Sequence, residues 1–414
     1  MKIYKFGGAS VKDAEGVKNV LKVLQHQGFK NTLIVISAMG KTTNALEQVI
    51  NSYFYKKPNL QENIDFVRNY HFNIIKNLFP EKHAVLVDIE MLFGQMTGFF
   101  IQNKKTDYNY IYDQIVGYGE LISTKIMSAF LNENGIQNEW IDVREFIITD
   151  ANYRDAYVNW EKTEKNIAKL QTDKLYITQG FLGANTKNKT TTLGREGSDY
   201  SAAIFAYCLN AESVTIWKDV DGVLNADPRY FDETQLLQKI SYDEAIEMAF
   251  YGASVIHPKT LKPLENKKIP LYVRSFENLN LAGTVIAEGN YLEPEIPCFI
   301  LKQQQILVSI SALDFSFMVE YNLSDIFKIL HNYKLKVNLI QNSALNFSVC
   351  IEDKFCNFQN FLTELQSNYK VTYFEDVSLY TVRHANAKAI EKIEAKGEVL
   401  LKQVTHGTVQ IIMK

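Results

Sequence analysis

Short runs of β-branched residues alternate with longer segments of helical periodicity from the first residue to about residue 290. The pattern predicts strands at Ile3–Phe6, Thr32–Ser37, Trp140–Val143, Lys174–Thr178, Ser213–Trp217 and Leu271–Val273. Strands that alternate with helices in this way are typical of an α/β domain built on a largely parallel sheet.

The segments between these strands carry apolar residues at helical spacing. Val17, Val20, Leu21 and Leu24 form one such face before Gly28. Further helices are predicted at 42–55, 59–79, 84–103 and 110–134. Because no predicted strand separates these four helices, we expect them to form a helical insertion outside the sheet, which serves as a lid or as a wall on the substrate side.

The composition of the chain changes after Gly289. Pro294 and Pro297 lie close together there, and no glycine occurs from Asn290 to Lys396. We therefore expect a domain boundary, with a first domain over residues 1–292.

Beyond this boundary the predicted order is strand, helix, strand, strand, helix, strand, which is the order of a ferredoxin-like unit. These elements are predicted at 306–312, 323–333, 335–341, 345–351, 355–367 and 370–375. A shorter set of similar elements follows, with a strand at 378–384, a helix at 386–394 and strands at 398–404 and 407–413. We predict one full module over 298–376 and a truncated second copy over 377–414.

The charges nearly balance, with 44 Lys and Arg against 47 Asp and Glu in 414 residues, and the net charge is −3. A chain without a broad basic field is not expected to bind nucleic acid or an anionic membrane. No apolar run approaches the roughly 20 residues that span a bilayer, and Met1–Gly8 lacks the apolar region of a secretory signal. We expect a cytoplasmic protein.

The four cysteines are scattered along the chain without paired spacing, at Cys208, Cys298, Cys350 and Cys356. This pattern suits reduced, mostly buried thiols better than disulfides or zinc ligands. We expect no structural metal.

Two strand ends near the N-terminus are candidate binding loops. Gly7 and Gly8 follow the first strand, where backbone N–H groups and Lys5 could hold phosphate, although an ordinary tight turn would use the same glycines. The segment Ser37–Asn44 follows the second strand and brings hydroxyls to its carboxyl end. It is not a Walker A loop, because Val35 stands where that loop needs glycine, and capping of a helix by its threonines remains open.

The segment from Thr190 to Ala203 contains the highest density of candidate functional residues. Arg195 stands in a glycine-containing loop and offers a planar fork for a carboxylate or phosphate, whereas Ser198 and Asp199 also suit a helix cap and first turn. The loop Lys218–Arg229 could hold ribose, phosphate and Mg²⁺, or could be a simple Asp-rich connection.

Two further polar residues stand out in the sequence, Glu120 and His257. Glu120 lies in an apolar helical stretch and could face a cavity and bind an ammonium group, or face solvent. His257 stands alone and is interpreted as structural.

With these segments in this order, the chain resembles aspartate kinase of the amino acid kinase superfamily. The markers are Lys5–Val11, Ser37–Gly40, Gly119-Glu120, Gly180-Phe181, Leu193–Ala203, Asp219–Val223, Ala226–Arg229 and Val273–Ser275. The resemblance implies a largely parallel α/β sheet sandwiched by helices, followed by ferredoxin-like α+β modules of the ACT type. It also implies transfer of the γ-phosphoryl group of ATP, with Mg²⁺, to the side-chain carboxylate of L-aspartate, the entry to lysine, threonine and methionine synthesis.

The same resemblance implies a role for each matching residue. Catalysis would involve Lys5, Glu120, Arg195 and Asp199. Aspartate would be bound by Ser37, Thr43, Glu120, Arg195 and Ser198. The nucleotide would be bound by Lys5, Gly7, Gly8, Lys218, Asp219, Leu224, Asp227, Arg229, Ser254 and Val255.

Four positions depart from the family pattern. Glu196 stands at a common glycine and would add negative charge near the phosphates, Lys218 replaces a small hydroxyl residue, Leu224 a frequent tyrosine, and Ser254 a lysine. We expect Lys218 to supply the cation that is missing at position 254.

The tail is expected to pair two chains into a homodimer through its ACT-like modules. Glu320-Tyr321-Asn322 occupies the junction where the family has a glycine near its effector, so we expect weak or absent inhibition by amino acids. Two other functions stay open: a kinase with another acid as acceptor, and a catalytically silent regulatory subunit. From the length of the chain we expect no fused dehydrogenase.

Overall fold

The computed structural model describes residues 1–253, 256–314 and 316–414. The chain divides into two compact units. The first contains Met1–Val223, Leu236–Ile246 and Val255–Pro294, and the second contains Leu224–Gln235, Glu247–Ser254 and Glu295–Lys414. The second unit therefore takes two short pieces of chain that precede the predicted boundary.

The strands up to residue 294 are β1 (Lys2–Phe6), β2 (Thr32–Ile36), β3 (Glu139–Trp140), β4 (Ile148–Thr149), β5 (Tyr176–Gln179), β6 (Leu182–Asn185), β7 (Thr190–Thr192), β8 (Ser213–Lys218), β9 (Val223–Leu224), β10 (Leu236–Leu237), β11 (Lys239–Ser241), β12 (Leu271–Ser275), β13 (Thr284–Ala287) and β14 (Leu292–Glu293). The α-helices are α1 (Ala14–Gln27), α2 (Thr42–Phe54), α3 (Leu60–Leu78), α4 (Val85–Gln102), α5 (Tyr108–Val116), α6 (Tyr118–Glu133), α7 (Trp160–Ile167), α8 (Gly197–Leu209), α9 (Tyr242–Tyr251) and α10 (Pro258–Asn266). Short 3₁₀ helices cover Gly8–Val11 and Val143–Glu145.

A nine-stranded sheet forms the centre of the first unit, in the order β14-β11-β13-β12-β8-β1-β2-β5-β3. The strands from β12 to β3 run parallel, and antiparallel pairs occur only toward the other edge among the described residues. Lys5 of β1 lies opposite Val35 of β2 and Ile216 of β8. The carboxyl ends of these three strands therefore meet at one edge of the sheet, and the predicted α/β fold class is confirmed.

Two predicted elements of the first unit need correction. The strand expected at Trp140–Val143 is only β3, and a 3₁₀ turn begins at Val143. The helix expected at 110–134 is two helices, α5 and α6, which meet at Gly117. A Cβ on Gly117 would lie 3.0 Å from the side chain of Leu182, so the close packing of that strand explains the glycine.

Helix α4 is long enough and apolar enough to cross a membrane, judged by length and composition alone. This corrects the expectation that no segment approaches that length. Val85, Ile89, Phe93 and Met96 on one face of the helix are buried in the core of the first unit.

The second unit contains β15 (Cys298–Ala312), α11 (Glu320–Asn332), β16 (Lys336–Asn342), β17 (Phe347–Glu352), α12 (Phe358–Gln366), β18 (Tyr369–Arg383), α13 (Ala387–Glu394), β19 (Val399–Thr405) and β20 (Thr408–Met413). Its sheet has six strands in the order β16-β17-β15-β18-β20-β19, and all the pairs are antiparallel. This is the helix-backed, antiparallel α+β arrangement that the ferredoxin-like order predicts.

The two strands predicted at 370–375 and 378–384 are one continuous strand, β18. It pairs with β15 along its whole length, from Cys298 opposite Arg383 to Ala312 opposite Tyr369, with bulges after Lys302. The segment 377–414 therefore receives a partner strand from the start of β15, which lies at the beginning of the range predicted for the first module. Its apparent truncation in the sequence arises because one of its strands lies elsewhere in the chain.

The loop after β9 contributes to the core of the second unit. Ala226 and Phe231 are buried against Val382, Ile393 and Val409. The backbone supports this packing, because the N–H of Phe299 donates to the carbonyl of Asn225 at 2.7 Å. A loop that the sequence places in the first domain is thus structurally part of the second unit.

Candidate active site

A cavity of about 340 Å³ opens at the carboxyl ends of the central strands of the first unit. Its lining combines cationic, acidic and hydroxyl side chains, and consists of Lys5, Ser37, Thr43, Glu120, Phe181, Gly194, Glu196, Gly197, Ser198, Asp199 and Lys218. A larger cavity of about 530 Å³ beside β4 and β6 contains none of the candidate residues. We take the smaller cavity as the site because carboxyl strand ends are where ligands bind in open α/β sheets.

A buried ion pair lies at the centre of this cavity. Lys5 is only 8 % exposed, and its Nζ lies 2.6 Å from Oδ1 of Asp199, which is 3 % exposed. Lys5 comes from β1 and Asp199 from the first turn of α8, so the pair joins two elements that are far apart in sequence. A buried ammonium with one carboxylate partner retains donors for a second anion.

The two glycines after β1 allow close backbone packing beside Lys5. A Cβ on Gly8 would lie 2.7 Å from the carbonyl oxygen of Ala38, and the N–H of Gly40 donates to the carbonyl of Gly8 at 3.0 Å. A Cβ on Gly7 would lie 3.3 Å from Nζ of Lys5. These contacts exceed what an ordinary tight turn requires.

No α-helix begins directly at the two glycines. Only a single 3₁₀ turn follows Gly8, and α1 begins at Ala14. The side chain of Asp13 already accepts from the N–H of Gly16 at that helix terminus. Any phosphate at this loop would therefore depend on Lys5 and on backbone N–H groups.

Glu120 lies in the first turn of α6, is 3 % exposed and faces the same cavity. Its Oε1 accepts from the N–H of Ala38 at 3.3 Å, and its Oε2 has no hydrogen-bond partner. Burial raises the pKa of this carboxyl group to about 8. A buried carboxylate with an unused oxygen is suited to a cationic ligand such as an ammonium group.

The hydroxyl residues after β2 have two different roles: one makes a structural hydrogen bond, and others line the cavity. Thr42 donates to the carbonyl of Met39 at 2.6 Å, whereas Thr43 lines the cavity. The N-cap of α2 is Lys41 and has no side-chain cap, so the capping alternative is wrong for both threonines. Ser37 lines the cavity as well, and its carbonyl accepts from Ser123.

The N-terminus of α8 differs from the sequence interpretation. The N-cap is Glu196, in the left-handed region with φ 52°, and Ser198 is the second helical residue instead of the cap. Ser198 is 9 % exposed and lines the cavity. A Cβ on Gly180 would lie 2.5 Å from the side chain of Ser198, so that glycine is required for this approach.

Arg195 lies on the same loop, but its side chain is exposed and is not part of the cavity lining. Its neighbours Gly194 and Glu196 both line the cavity. The structure thus places Arg195 at the rim of the site.

The carboxylate of Glu196 is held at the start of α10. Its Oε2 accepts from the N–H of His257 at 2.9 Å, and the ring of His257 caps α10 by accepting from Lys259 N at 3.2 Å. Burial lowers the pKa of His257. The extra charge expected near the phosphates is therefore partly offset by a helix N-terminus, and His257 has the structural role assigned to it.

The predicted nucleotide contacts fall into three groups. Lys218 is the last residue of β8, is half-buried and lines the cavity, whereas Asp219 is exposed just beyond it. Leu224, Asp227 and Arg229 belong to the second unit. Ser254 and Val255 lie outside the described residues.

Within the second unit, Asp227 and Arg229 form a bidentate pair. Arg229 Nε donates to Asp227 Oδ1 at 3.0 Å, and Arg229 Nη2 lies 2.5 Å from Oδ2. The hydrogen bonds from Arg229 lower the pKa of Asp227. Leu224 is half-buried at the end of β9.

Sequence reasoning assigned no site role to two residues of this region, although Phe181 is among the markers of the resemblance. Phe181 lines the cavity with φ 69°, and its N–H donates to Ser201 Oγ at 2.9 Å. Asp113 is fully buried and accepts from the backbone N–H groups of Thr192 and Arg154, at 2.9 and 3.0 Å. An acid in an otherwise apolar helix was the available signal for Asp113, as it was for Glu120.

Asp113 supports the loop that carries Arg195, because Thr192 is the last residue of β7 and directly precedes that loop. Burial raises the pKa of Asp113 to about 7. Among the described residues, no group of three or more His, Cys, Asp or Glu side chains could hold a metal ion. None of the four cysteines, all of which lie in the described ranges, forms a disulfide, and Cys298 and Cys350 are buried.

Comparisons with known proteins show which family this chain belongs to. The amino acid kinase family profile matches residues 1–275. Lysine-sensitive aspartokinase 3 of Escherichia coli is 31 % identical over 357 residues, which cover 84 % of this chain and 78 % of that enzyme. The bifunctional aspartokinase/homoserine dehydrogenase 2 of Arabidopsis thaliana is 31 % identical over 366 residues, or 84 % of this chain. The chain spans only 39 % of the length of that plant enzyme.

A solved structure of E. coli aspartokinase III in complex with lysine and aspartate superposes with a TM-score of 0.83 at 27 % identity, covering 100 % of this chain and 96 % of that one. A second structure of that enzyme, with aspartate and ADP, gives a TM-score of 0.82. The resemblance to aspartate kinase is thereby confirmed. With its parallel sheet, its cavity at the strand ends and its matching profile, the chain belongs to the amino acid kinase family and is homologous to the aspartokinases.

Proposed function

We propose that this protein is an aspartate kinase, which transfers the γ-phosphoryl group of ATP to the side-chain carboxylate of L-aspartate. The product, 4-phospho-L-aspartate, is the first intermediate of lysine, threonine and methionine synthesis. One observation carries the proposal: the Lys5–Asp199 pair and the unpartnered Oε2 of Glu120 share one cavity. That cavity offers a cation for a phosphoryl group and an anion for an amino group.

The residues in and around the cavity have the following roles in this reaction. Glu120 binds the ammonium group of aspartate, and Thr43, Ser37 and Ser198 surround its carboxylates. Arg195 binds a carboxylate from the rim when its exposed side chain turns inward. Lys5 offsets the charge on the phosphoryl group, with Gly7 and Gly8 around the phosphates, and Asp199 holds Lys5 in position.

The reaction needs no general base. The side chain of aspartate has a pKa near 4 and is already ionised at neutral pH, so its oxygen can attack directly. What the protein must supply is in-line positioning of two anions and cations that reduce their repulsion. Lys5 and Lys218, both in the cavity lining, meet that requirement.

The nucleotide is proposed to bind beside Lys5 and Lys218, with a further contact from Asp219. The contacts that the resemblance implies for Leu224, Asp227, Arg229, Ser254 and Val255 stay predictions from the sequence. Mg²⁺ would enter with ATP, bound mainly by phosphate oxygens and water. ADP in a homologous structure of E. coli aspartokinase III supports the use of ATP here.

The direct test incubates the purified full-length chain with ATP, Mg²⁺ and L-aspartate, and traps the acyl phosphate as a hydroxamate with hydroxylamine. We expect hydroxamate formation that depends on all three reactants and is lost in Lys5→Met. L-Glutamate in place of L-aspartate tests for a kinase with another acceptor. No ADP release with either acid, despite binding of aspartate, would support a silent regulatory subunit and contradict the proposal.

We further propose a homodimer formed through the ACT-like modules of the second unit, with module limits at 298–376 and 377–414 and a catalytic domain over 1–292. The loop after β15 and the β16–β17 turn are joined by a hydrogen bond from Met318 N to Ala344 O. Several large apolar side chains on these loops and in the first turn of α11 are exposed, namely Leu313, Phe317, Val319, Tyr321 and Leu345. A second copy would cover them. A cytoplasmic location also remains a proposal.

A further inference from the structure

The loop between β4 and α7, residues 150–159, lies against the loop between β7 and α8 at the rim of the cavity. The N–H of Ala156 donates to the carbonyl of Thr192, the last residue of β7, at 2.9 Å. A Cβ on Gly194, which has φ 81° and lines the cavity, would lie 2.6 Å from Oδ1 of Asp155. The β4–α7 loop is therefore in direct contact with the loop that forms part of the cavity wall.

Arg154, in the middle of the β4–α7 loop, has a backbone conformation that favours glycine. Its φ is 73°, in the left-handed region that most side chains avoid. Its contacts offset this cost. The N–H of Arg154 donates to Oδ2 of the buried Asp113 at 3.0 Å, the guanidinium carbon lies 4.1 Å from the ring centroid of Tyr112, and Nη2 lies 3.4 Å from Oε1 of Glu47. Because backbone strain of this kind is concentrated at functional sites, it makes the Arg154 side chain a candidate for a role in function.

Asp155, the next residue, forms an ion pair with a different element. Its Oδ1 contacts Nζ of Lys259, in the first turn of α10. The start of the same helix also binds the β7–α8 loop, since Glu196 accepts from the N–H of His257. Two carboxylates, one from each loop, thus converge on the start of α10, and all these residues belong to the first unit.

The two ion pairs connect elements that carry different parts of the site. Glu47, the partner of Arg154, lies one turn along α2 from Thr43, which lines the cavity. The partner of Asp155 lies on α10, to which the loop carrying Arg195 is also bound. The proposed function assigns both Thr43 and Arg195 to the carboxylates of the substrate. The β4–α7 loop therefore links the two elements from which these side chains come.

We propose that Arg154 and Asp155 are positioning residues for the substrate, a short α-amino dicarboxylic acid. With one ion pair on each side, they fix the spacing between α2 and the loop that carries Arg195, and they act through Thr43 and Arg195. This inference rests on the proposed function. The side chains of both ion pairs are between 37 % and 54 % exposed, so each pair adds little to the free energy of unfolding while it can still set the position of a loop.

Steady-state kinetics of Arg154→Gly separate a positioning role from a purely structural one. Glycine accepts the left-handed φ and keeps the N–H that Asp113 binds, so the denaturant midpoint of the variant should stay close to that of the unchanged protein. We expect the KM for aspartate to rise about two- to fivefold, the range that one exposed ion pair supports, with little change in kcat or in the KM for ATP. An unchanged KM for aspartate, or a lower denaturant midpoint with equal changes in both KM values, would overturn the role of Arg154.

A charge exchange tests the second ion pair. Asp155→Lys and Lys259→Asp should each raise the KM for aspartate, and the chain that carries both changes should lower it again, because the pair is rebuilt with opposite polarity. Lys262→Asp is the matched control, since Lys262 is exposed three residues further along α10. It makes the same change of charge and should leave the KM for aspartate as it is. A double exchange whose KM stays as high as that of the single variants would overturn the role of Asp155.

Isothermal titration calorimetry with L-aspartate adds a readout that does not depend on phosphoryl transfer. If the unchanged chain binds aspartate without phosphorylating it, the proposed function fails, whereas weaker binding by Arg154→Gly and Asp155→Lys would still support the positioning role. Equal affinities of the unchanged chain and both variants would overturn the positioning role alone. No binding of aspartate to the unchanged chain would overturn both.

Discussion

At the scale of single residues, Glu120 makes the sharpest prediction because its titration lies in an accessible pH range. Its pKa of about 8 in the free protein means that the carboxyl group is mostly protonated at pH 7. Only the ionised form attracts the ammonium group of aspartate, so the KM for aspartate should fall as pH rises through 8. Between pH 7 and pH 9 the expected change is about tenfold.

Steady-state kinetics across this pH range check the effect, with Glu120→Gln as the reference. That variant should show a high KM for aspartate that does not vary in this window. A pH-independent KM in the unchanged protein would contradict the assignment of Glu120 to the amino group.

The same carboxyl group affects stability. Its pKa in the folded state exceeds its ordinary value of 4.5, so the folded state binds more protons than the unfolded state between these values. Its contribution should therefore make the free energy of unfolding fall as pH rises from about 4.5 to about 8. Denaturant unfolding of Glu120→Gln should show a weaker fall over that range, and an identical pH profile in both proteins would contradict this argument.

Glu196 is predicted to position the loop that carries Arg195. Glu196→Gly relieves the left-handed backbone but removes the acceptor for His257 N–H, so the loop is freed from α10. We expect a severalfold higher KM for aspartate with little change in kcat. Glu196→Gln keeps an acceptor oxygen and should behave almost as the unchanged protein does. Equal KM values for all three proteins would show that the contact does not position the loop.

Lys218 is expected to replace the cation that the family has at position 254. Because Lys218 lines the cavity, Lys218→Ala should raise the KM for ATP or lower kcat by tenfold or more, or about 1.4 kcal/mol. Lys187→Ala, which removes a lysine from outside this cavity, serves as the control. Near-normal kinetics of Lys218→Ala would refute the compensation.

Many site residues could be predicted because the types of residue that stand at strand ends indicate which ligand groups a site can bind. Lys5, Glu120 and Asp199 were chosen from the sequence and line one cavity. The cap of α8 could not be predicted, since a glutamate in the left-handed region is disfavoured locally and is supported by a contact with His257, 61 residues away in the chain. Phe181 was missed for a similar reason: its positive φ becomes visible only in three dimensions.

At the scale of elements, the glycine after β5 links a strand end to the helix that carries Asp199. A Cβ on Gly180 would lie 2.5 Å from Cβ and Oγ of Ser198 and 2.8 Å from its Cα, so rotation of one side chain cannot relieve the clash. Gly180→Ala should lower the free energy of unfolding by about 1–3 kcal/mol and should reduce activity further by displacing α8.

Gly94→Ala is the matched control for this substitution, because its Cβ meets open space in the middle of α4. It should raise the free energy of unfolding by about 0.5–1 kcal/mol. Denaturant unfolding of both variants checks the pair, and similar stabilities would contradict the packing argument.

The spacing of hydrophobic residues predicts the order of helices and strands. The residues at which these elements begin and end depend on contacts with distant parts of the chain. The long helices α2, α3 and α4 lie within a residue or so of their predicted limits because each has a strong buried face. The break between α5 and α6 follows from Leu182 packing on Gly117, which no local pattern reveals. The fusion of two predicted strands into β18 likewise depends on a partner, β15, that is about 70 residues away in the chain.

At the scale of the whole molecule, the second unit leads to a prediction about control by end products. Helix α11 begins at Glu320, and the N–H of Val319 donates to Asn322 Oδ1 at 3.1 Å. Tyr321 at this junction is 79 % exposed. Side chains where the family has glycine should obstruct close approach of an amino acid, so lysine and threonine at physiological concentrations should inhibit weakly or not at all. Strong inhibition of the kinase by either amino acid would overturn this expectation.

The second unit is built from three separate stretches of the chain, and this limits how the protein can be divided or recombined. Cutting after Pro294 would leave Ala226 and Phe231 without the side chains that bury them, and would leave the C-terminal fragment without part of its core. A C-terminal segment of this kind cannot be exchanged by joining two chains at a single point. A working chimaera would have to transplant the stretches 224–235 and 247–254 together with the tail, and the same condition constrains how the tail can evolve.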